Sequence, residues 1–177
     1  MSGKEMTIHV RIDKKTYKRF SYFDAYFLRK AWKQPVRFAG ILLAFAVVCI
    51  LINKEQSLLA GLVLALVGLG LPVVYFASYS SSIRLQAEQL RLDKPRPAYD
   101  VTIGRALHIV NTMKKEPAQE LSWENVFGVW RGKEATYLYA TPQKAFILPD
   151  GQSDATPEEI WEALEEKLGS AKMHRKK

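Results

Sequence analysis

The sequence has little of the chemistry that disulfide-bonded, metal-binding or cysteine-dependent domains use. It contains one cysteine, Cys49, and three histidines, His9, His108 and His174. A single cysteine excludes an intrachain disulfide framework, and no two histidines stand at metal-ligand spacing. No nucleophile motif or paired catalytic carboxylate accompanies them. We therefore expect no metal, no cofactor and no enzymatic activity.

Charge is also absent from two long apolar runs, residues 38–52 and 58–77, which a polar pentad separates. As a helix of ~1.5 Å rise per residue, the second run is long enough for a bilayer core of ~30 Å. The first run reaches that length only with Val36 and a snorkelling Arg37. The short linker predicts an antiparallel transmembrane hairpin. The alternative, a buried hairpin of a soluble protein, needs more covering chain than the remaining sequence supplies.

Both runs lack Asp, Glu, Lys, Arg and His, which argues against a proton or ion path through the hairpin. Small residues, which let helix backbones approach closely in lipid, recur in the runs instead. They are Gly40 and Ala44 in the first run, and Gly61, Ala65 and Gly68 in the second. We interpret them as a packing face between the two helices. The alternative is a seam between two copies of the chain, which would make the protein a homo-oligomer.

The net charge of +8 is unevenly distributed along the chain. Residues 1–37 contain ten basic and three acidic side chains, whereas residues 99–169 contain seven basic and twelve acidic ones. The positive excess therefore flanks the apolar runs, a pattern that places both termini in the cytoplasm. It leaves no basic domain to bind nucleic acid. The expected partners are the lipid bilayer and an unknown protein.

Composition divides the chain into five predicted segments. They are an N-terminal strand with an aromatic and basic helix (1–35), the transmembrane hairpin (36–77), a helical extension and linker (78–98), a cytoplasmic domain (99–169) and a basic tail (170–177). The aromatic and basic helix is predicted to lie on the membrane surface or to pack on the C-terminal domain. The overall class is a membrane helical hairpin plus a small α+β domain.

The cytoplasmic domain reads as short strands followed by one amphipathic helix. Apolar and polar residues alternate through residues 99–149, with turns at glycine and proline. Thr156, Pro157 and Glu159 then predict a helix start with a capping box, and Gly169 predicts its end. We expect an antiparallel sheet or partial barrel covered by this helix.

One set of residues in this domain predicts an interaction surface. Trp130, Arg131, Lys133 and Tyr137 lie on and between two predicted strands, and together would form an aromatic and basic rim on the small sheet. The alternative is that they are ordinary core and turn residues.

Several short segments resemble a known family. They are the aromatic segment 17–27, Tyr99-Asp-Val-Thr-Ile-Gly, Ala106-Leu-His-Ile-Val, Leu121-Ser-Trp-Glu-Asn-Val, Thr136-Tyr-Leu-Tyr and Lys144-Ala-Phe-Ile-Leu-Pro. In this order they resemble the YcxB-like family of small bacterial membrane proteins. The resemblance implies two helices in a bacterial cell membrane and a C-terminal domain akin to bacterial pleckstrin-homology folds. Gly104-Arg105 and Asp150-Gly-Gln depart from the family's usual turns. The family brings no established activity, so no functional residue is carried over.

Overall fold

The computed structural model describes residues 5–52, 54–113, 117–151 and 155–175. The chain forms two compact units, one of Met1–Phe20 with Arg91–Lys177 and the other of Ser21–Leu90. It is a mixed α+β structure with two long apolar helices and two four-stranded sheets, which confirms the predicted class at that level. The predicted turn at 114–116 lies outside the described residues.

The first sheet combines one strand that precedes the two long helices with three strands that follow them. Its strands are β1 (Met6–Ile12), β2 (Arg96–Ile103), β3 (Leu107–Asn111) and β4 (Gln119–Leu121), antiparallel and in that order. Apolar residues of alternate positions, such as Ile8, Val101 and Ile109, are opposite one another and buried. The strand predicted at 6–12 is confirmed. β1 pairs with β2 and so belongs to the same sheet as β3 and β4. The sequence had predicted residues 1–35 and 99–169 as two different segments of the protein.

The second sheet contains one strand that the sequence did not indicate. Its order is β7-β6-β5-β8, where the strands are β5 (Gly128–Arg131), β6 (Ala135–Thr141), β7 (Lys144–Pro149) and β8 (Met173–Arg175). β8 comes from the predicted tail and pairs parallel with β5, so the expectation of a purely antiparallel sheet is wrong. Within the described residues no strand pairing joins the two sheets, so they do not close into a barrel.

A buried phenol links the two sheets. The Tyr99 hydroxyl donates to the carbonyl of Ile147 at 2.8 Å and accepts a hydrogen bond from the same residue's N–H. Burial raises the pKa of Tyr99 above its usual range, which keeps the hydroxyl protonated and able to donate. The Tyr99 ring also meets Phe146 edge-on, with the ring centroids 5.3 Å apart. This contact holds β2 against β7.

Two helices of this unit begin at the predicted caps. The Asp13 carboxylate accepts a hydrogen bond from the Thr16 N–H at 2.7 Å and opens α1 (Lys14–Phe23). Partial burial alone would raise the pKa of Asp13, but the hydrogen bonds from Thr16 outweigh it and the pKa is lowered. Thr156 and Glu159 form the capping box of α4 (Pro157–Leu168), as predicted. Ile160, Trp161 and Leu164 are the buried residues of α4.

The second unit is built on two long helices, α2 (Lys33–Ile52) and α3 (Glu55–Gln89). Both are long and apolar enough to cross a membrane. α2 begins before the predicted segment boundary at residue 35 and contains Pro35, because proline fits the first helical turn, where its missing N–H has no partner in the helix. α3 continues to Gln89, so residues 78–89 extend the second apolar helix rather than form a separate element.

Two glycines set the contact between α2 and α3. A Cβ added to Gly61 would lie 3.0 Å from the Ala46 carbonyl oxygen, and one added to Gly68 would lie 3.4 Å from that of Ala39. The helices are therefore antiparallel, and Ala39 and Ala46, both buried, are the small residues that α2 contributes. This corrects the predicted packing face of α2.

The residues predicted for that face lie elsewhere on α2. A Cβ on Gly40 would meet nothing within 4 Å, and Gly40 and Ala44 are both exposed. Neither therefore contributes to the contact with α3. Ala65 is half-buried on α3, between the two contact glycines.

An aromatic segment before α2 packs against α3. It follows α1 as a π-helical turn, Asp24–Leu28. Tyr22 and Ser80 share a hydrogen bond between their hydroxyls at 2.8 Å, and the Tyr79 hydroxyl donates to the Ser21 carbonyl at 2.9 Å. The Tyr26 ring stacks on Phe76. These contacts join residues 21–26, before α2, to residues 76–80 of α3, and so connect the beginning of the second unit to its returning chain.

Replacing Gly61 tests the helix contact. We expect Gly61→Leu to destabilise the α2–α3 pair by about 1–3 kcal/mol, because the new side chain overlaps the Ala46 carbonyl and forces the backbones apart. Gly40→Leu is the matched control, since its Cβ points into open space. Unfolding of the full chain in a graded SDS titration measures both variants. Equal midpoints for the two variants would contradict the assigned contact.

Replacing Trp161 tests the docking of α4, which is too short to be stable alone in water. Trp161 is 5% exposed, and truncating a buried tryptophan typically costs about 3–5 kcal/mol, a large share of a domain's stability. We expect Trp161→Ala to abolish protease protection of residues 99–169, while the exposed Glu162→Ala on the same helix preserves it. Unchanged protection in Trp161→Ala would show that α4 lies outside the core.

Candidate interaction surfaces

An aromatic layer covers one face of the second sheet. We use this name for Phe20, Trp130, Tyr137 and Tyr139. Leu138 pairs with Phe146, which contacts Tyr99 of the first sheet, so the alternating Tyr137 and Tyr139 project from the other face of β6. There Phe20 of α1 lies 5.3 Å from the Tyr137 ring and 6.3 Å from the Tyr139 ring. β6 is consequently buried on both faces from Ala135 to Ala140.

Two of the four residues predicted as a rim, Trp130 and Tyr137, belong to this aromatic layer. Tyr137 is 4% exposed, and burial raises the pKa of its phenol although nearby Arg19 opposes the shift. Trp130 is half-buried between Phe127 and the edge of Tyr139. The structure brings Trp130 and Tyr137 together as cross-strand neighbours, but it does not form an exposed aromatic rim from them.

Arg131 and Lys133 lie in different environments. Arg131 makes a two-pronged ion pair with Asp150, with N–O distances of 2.6 and 2.8 Å, and also donates to the Thr136 hydroxyl at 3.1 Å. Hydrogen bonding to Asp150 raises the pKa of Arg131, and both side chains are mostly buried. Lys133 is exposed in the turn that follows. Arg131 therefore acts as an internal tie between β5 and the end of β7, and of the four residues only Lys133 is fully available to a partner.

The start of α1 packs on the C-terminal strands. Arg19 forms an ion pair with Glu134, and Lys15 approaches the same carboxylate at 3.9 Å. Together with the Phe20 contacts, these pairs favour the second of the two alternatives left open by the sequence, at least for residues up to Phe20. Up to Phe20, aromatic and basic side chains of α1 cover the second sheet.

The C-terminal residues form a clasp, a name we give to Ser170–Lys172, a 3-10 turn, and β8. The Lys172 ammonium donates to the carbonyls of Glu124 and Val126, both at 2.8 Å. The His174 ring stacks on Trp130 at 4.7 Å, and the Arg175 guanidinium lies 4.9 Å from the Trp161 ring. No sequence pattern predicted this clasp, because three residues are too few to show the alternation of a strand.

An open groove of about 630 Å³ runs beside α4. Met6 and Ile103 contribute apolar surface, and its charged residues are Glu5, Glu159, Glu162, Glu166 and Lys167. The groove is therefore acidic and faces water. Among the residues that the structure describes, no three His, Cys, Asp or Glu side chains converge as metal ligands.

Comparison with family models, with curated proteins and with solved structures finds no match for this chain.

The Arg131 pair separates a structural role from a binding role. We expect Arg131→Met to destabilise the globular unit by about 1.5–3 kcal/mol, because it leaves the mostly buried Asp150 carboxylate without its charged donor. Lys133→Met is the matched control, two residues away and exposed. Thermal unfolding of the full chain in detergent micelles compares the two variants. A stable Arg131→Met protein would contradict the structural assignment.

Proposed function

We propose that this protein is a membrane-anchored, non-enzymatic interaction module, whose hairpin of α2 and α3 crosses a bacterial cell membrane and whose globular unit binds a protein or lipid partner in the cytoplasm. The observation that carries the proposal is the exposure of the apolar side chains of α2 and α3. Only 17% of the most apolar stretch of α2 is buried, and only 11% of the most apolar stretch of α3. Leu51 is 77% exposed and Leu66 is 74% exposed.

Such exposure separates a membrane hairpin from the alternatives. A core helix of a soluble protein buries most of its apolar surface, and water would strongly disfavour an uncovered surface of this size. A bilayer accepts the same side chains at no cost, while the helices satisfy their own backbone hydrogen bonds. Lys30, Lys33 and Arg37 near the start of α2 and Trp32 beside them suit the headgroup region.

The YcxB-like resemblance and a fold akin to pleckstrin homology are part of the proposal. What supports them is the element order: seven strands in two sheets are followed by a C-terminal amphipathic helix with a capping box. The resemblance implies that the helical hairpin is a membrane anchor for this domain. It transfers no catalytic residue, and no reacting group is needed for the proposed role.

A second candidate function is that of an accessory subunit in a membrane protein complex. Gly40 and Ala44 favour it, because they lie four residues apart on the exposed side of α2 rather than against α3. Small residues at this spacing allow close helix approach in lipid. Lateral association in mild detergent that Gly40→Leu abolishes would support this role.

Cysteine labelling tests the membrane topology. In a Cys49→Ala background, we expect Gln56→Cys to react with an impermeant maleimide on intact cells. Gln56 is exposed in the first turn of α3, at the end of the hairpin that has few basic residues and that the proposed orientation puts outside the cell. Ser122→Cys, exposed in the globular unit, should react only after permeabilisation. The opposite pattern would overturn the orientation, and labelling of both sites on intact cells would overturn the cytoplasmic location.

A further inference from the structure

We propose that the outer edge of β5 is a docking site for an extended cationic segment of a partner protein, and that the clasp occupies this edge until a partner displaces it. The inference rests on the proposed function, for which it names the surface and the chemistry of the partner. β5 pairs with β6 along one edge and with β8 along the other, so in the part of the chain that the structure describes only the three residues of β8 pair with the second edge. An open strand edge is a template for an added strand.

The clasp is a weakly held occupant of this edge. Its ladder is short and parallel, which is the less stable strand pairing per residue. His174 and Arg175 are exposed and Met173 is only half-buried. These features leave the edge open to exchange with another extended chain.

The contacts of the clasp indicate which side chains a partner segment would need in order to bind at this edge. Two carbonyls, those of Glu124 and Val126, receive one ammonium group. Two residues after Lys172, the His174 ring stacks on Trp130. The next residue, Arg175, places its guanidinium over the Trp161 ring. A partner segment therefore needs a lysine, a flat ring two residues later and then a cation.

The charge of the surrounding chain suits the same partner. Residues 99–169 contain twelve acidic and seven basic side chains, so a cationic segment is attracted and an anionic one is repelled. A lipid headgroup supplies neither the backbone groups for the ladder nor a positive net charge at the surface of an anionic membrane. We therefore assign this edge to a protein segment.

Peptide binding to the full chain and to a chain ending at Gly169, both in detergent micelles, tests the proposal. The probe is a fluorescein-labelled peptide of residues 170–177, and a scrambled peptide of the same composition is the control. We expect saturable binding to the shortened chain and binding at least about ten-fold weaker to the full chain, because the attached clasp competes at high effective concentration. The scrambled peptide should bind neither.

Three results would overturn the proposal: no saturable binding to a shortened chain that keeps its thermal transition, equal binding to both chains, or equal binding of the scrambled peptide. If the shortened chain fails to fold, full-length Lys172→Ala replaces it under the same criteria, since it loses the hydrogen bonds to both carbonyls. Failure of peptide binding with unchanged cysteine labelling would remove this docking site and leave the membrane module standing.

Discussion

The globular unit depends on one ladder, the antiparallel pairing of β1 with β2. It joins residues far apart in the chain: Thr7 and Thr102 are 95 positions apart, yet their hydroxyls lie 3.0 Å from each other. Closing such a loop costs entropy, although the cost grows only slowly with its length. The hydrogen bonds of Tyr22 with Ser80 and of Tyr79 with Ser21 lower that cost, because they join the outgoing and returning chain within the second unit. A long helical insertion between neighbouring strands is thereby tolerated.

The features that could be predicted from the sequence are those that depend only on residues close together in the chain. The alternation at residues 6–12 forms a strand, Thr156 and Glu159 form a capping box, and the two apolar runs form helices long enough to cross a membrane. Each of these patterns lies within one short stretch of the chain. The burial of Tyr137 and the pairing of Arg131 with Asp150 depend instead on strand register and on α1 crossing β6, which no short pattern records. An aromatic and basic composition looks the same in a sequence whether it faces water or a neighbouring element.

The packing of α2 on α3 shows the same limit in helical terms. Small residues four apart suggested one face, but the residues that meet are seven apart, Ala39 with Ala46 and Gly61 with Gly68. Two nearly antiparallel helices return to the same contact after two turns, as in a coiled coil, so seven residues is the spacing that repeats the contact. Of the residues predicted on α3, Gly61 and Gly68 lie against α2, because only glycine lets the two backbones approach this closely. Alanines are too common in an apolar run for the sequence to single out two of them.

The aromatic layer also determines which surface is left for partners. Because Phe20, Tyr137 and Tyr139 cover one another, and Arg131 and Arg19 are paired with carboxylates, much of the aromatic and basic chemistry of the domain is used internally. What faces water on α4 is mainly carboxylate, and Glu159, Glu162 and Glu166 line the groove beside it. A surface on which carboxylates predominate attracts cationic groups at close range and repels anionic ones. Under the proposed function, this carboxylate surface suits a cationic protein segment better than anionic lipid headgroups, and contact with lipid is the role proposed for α2 and α3.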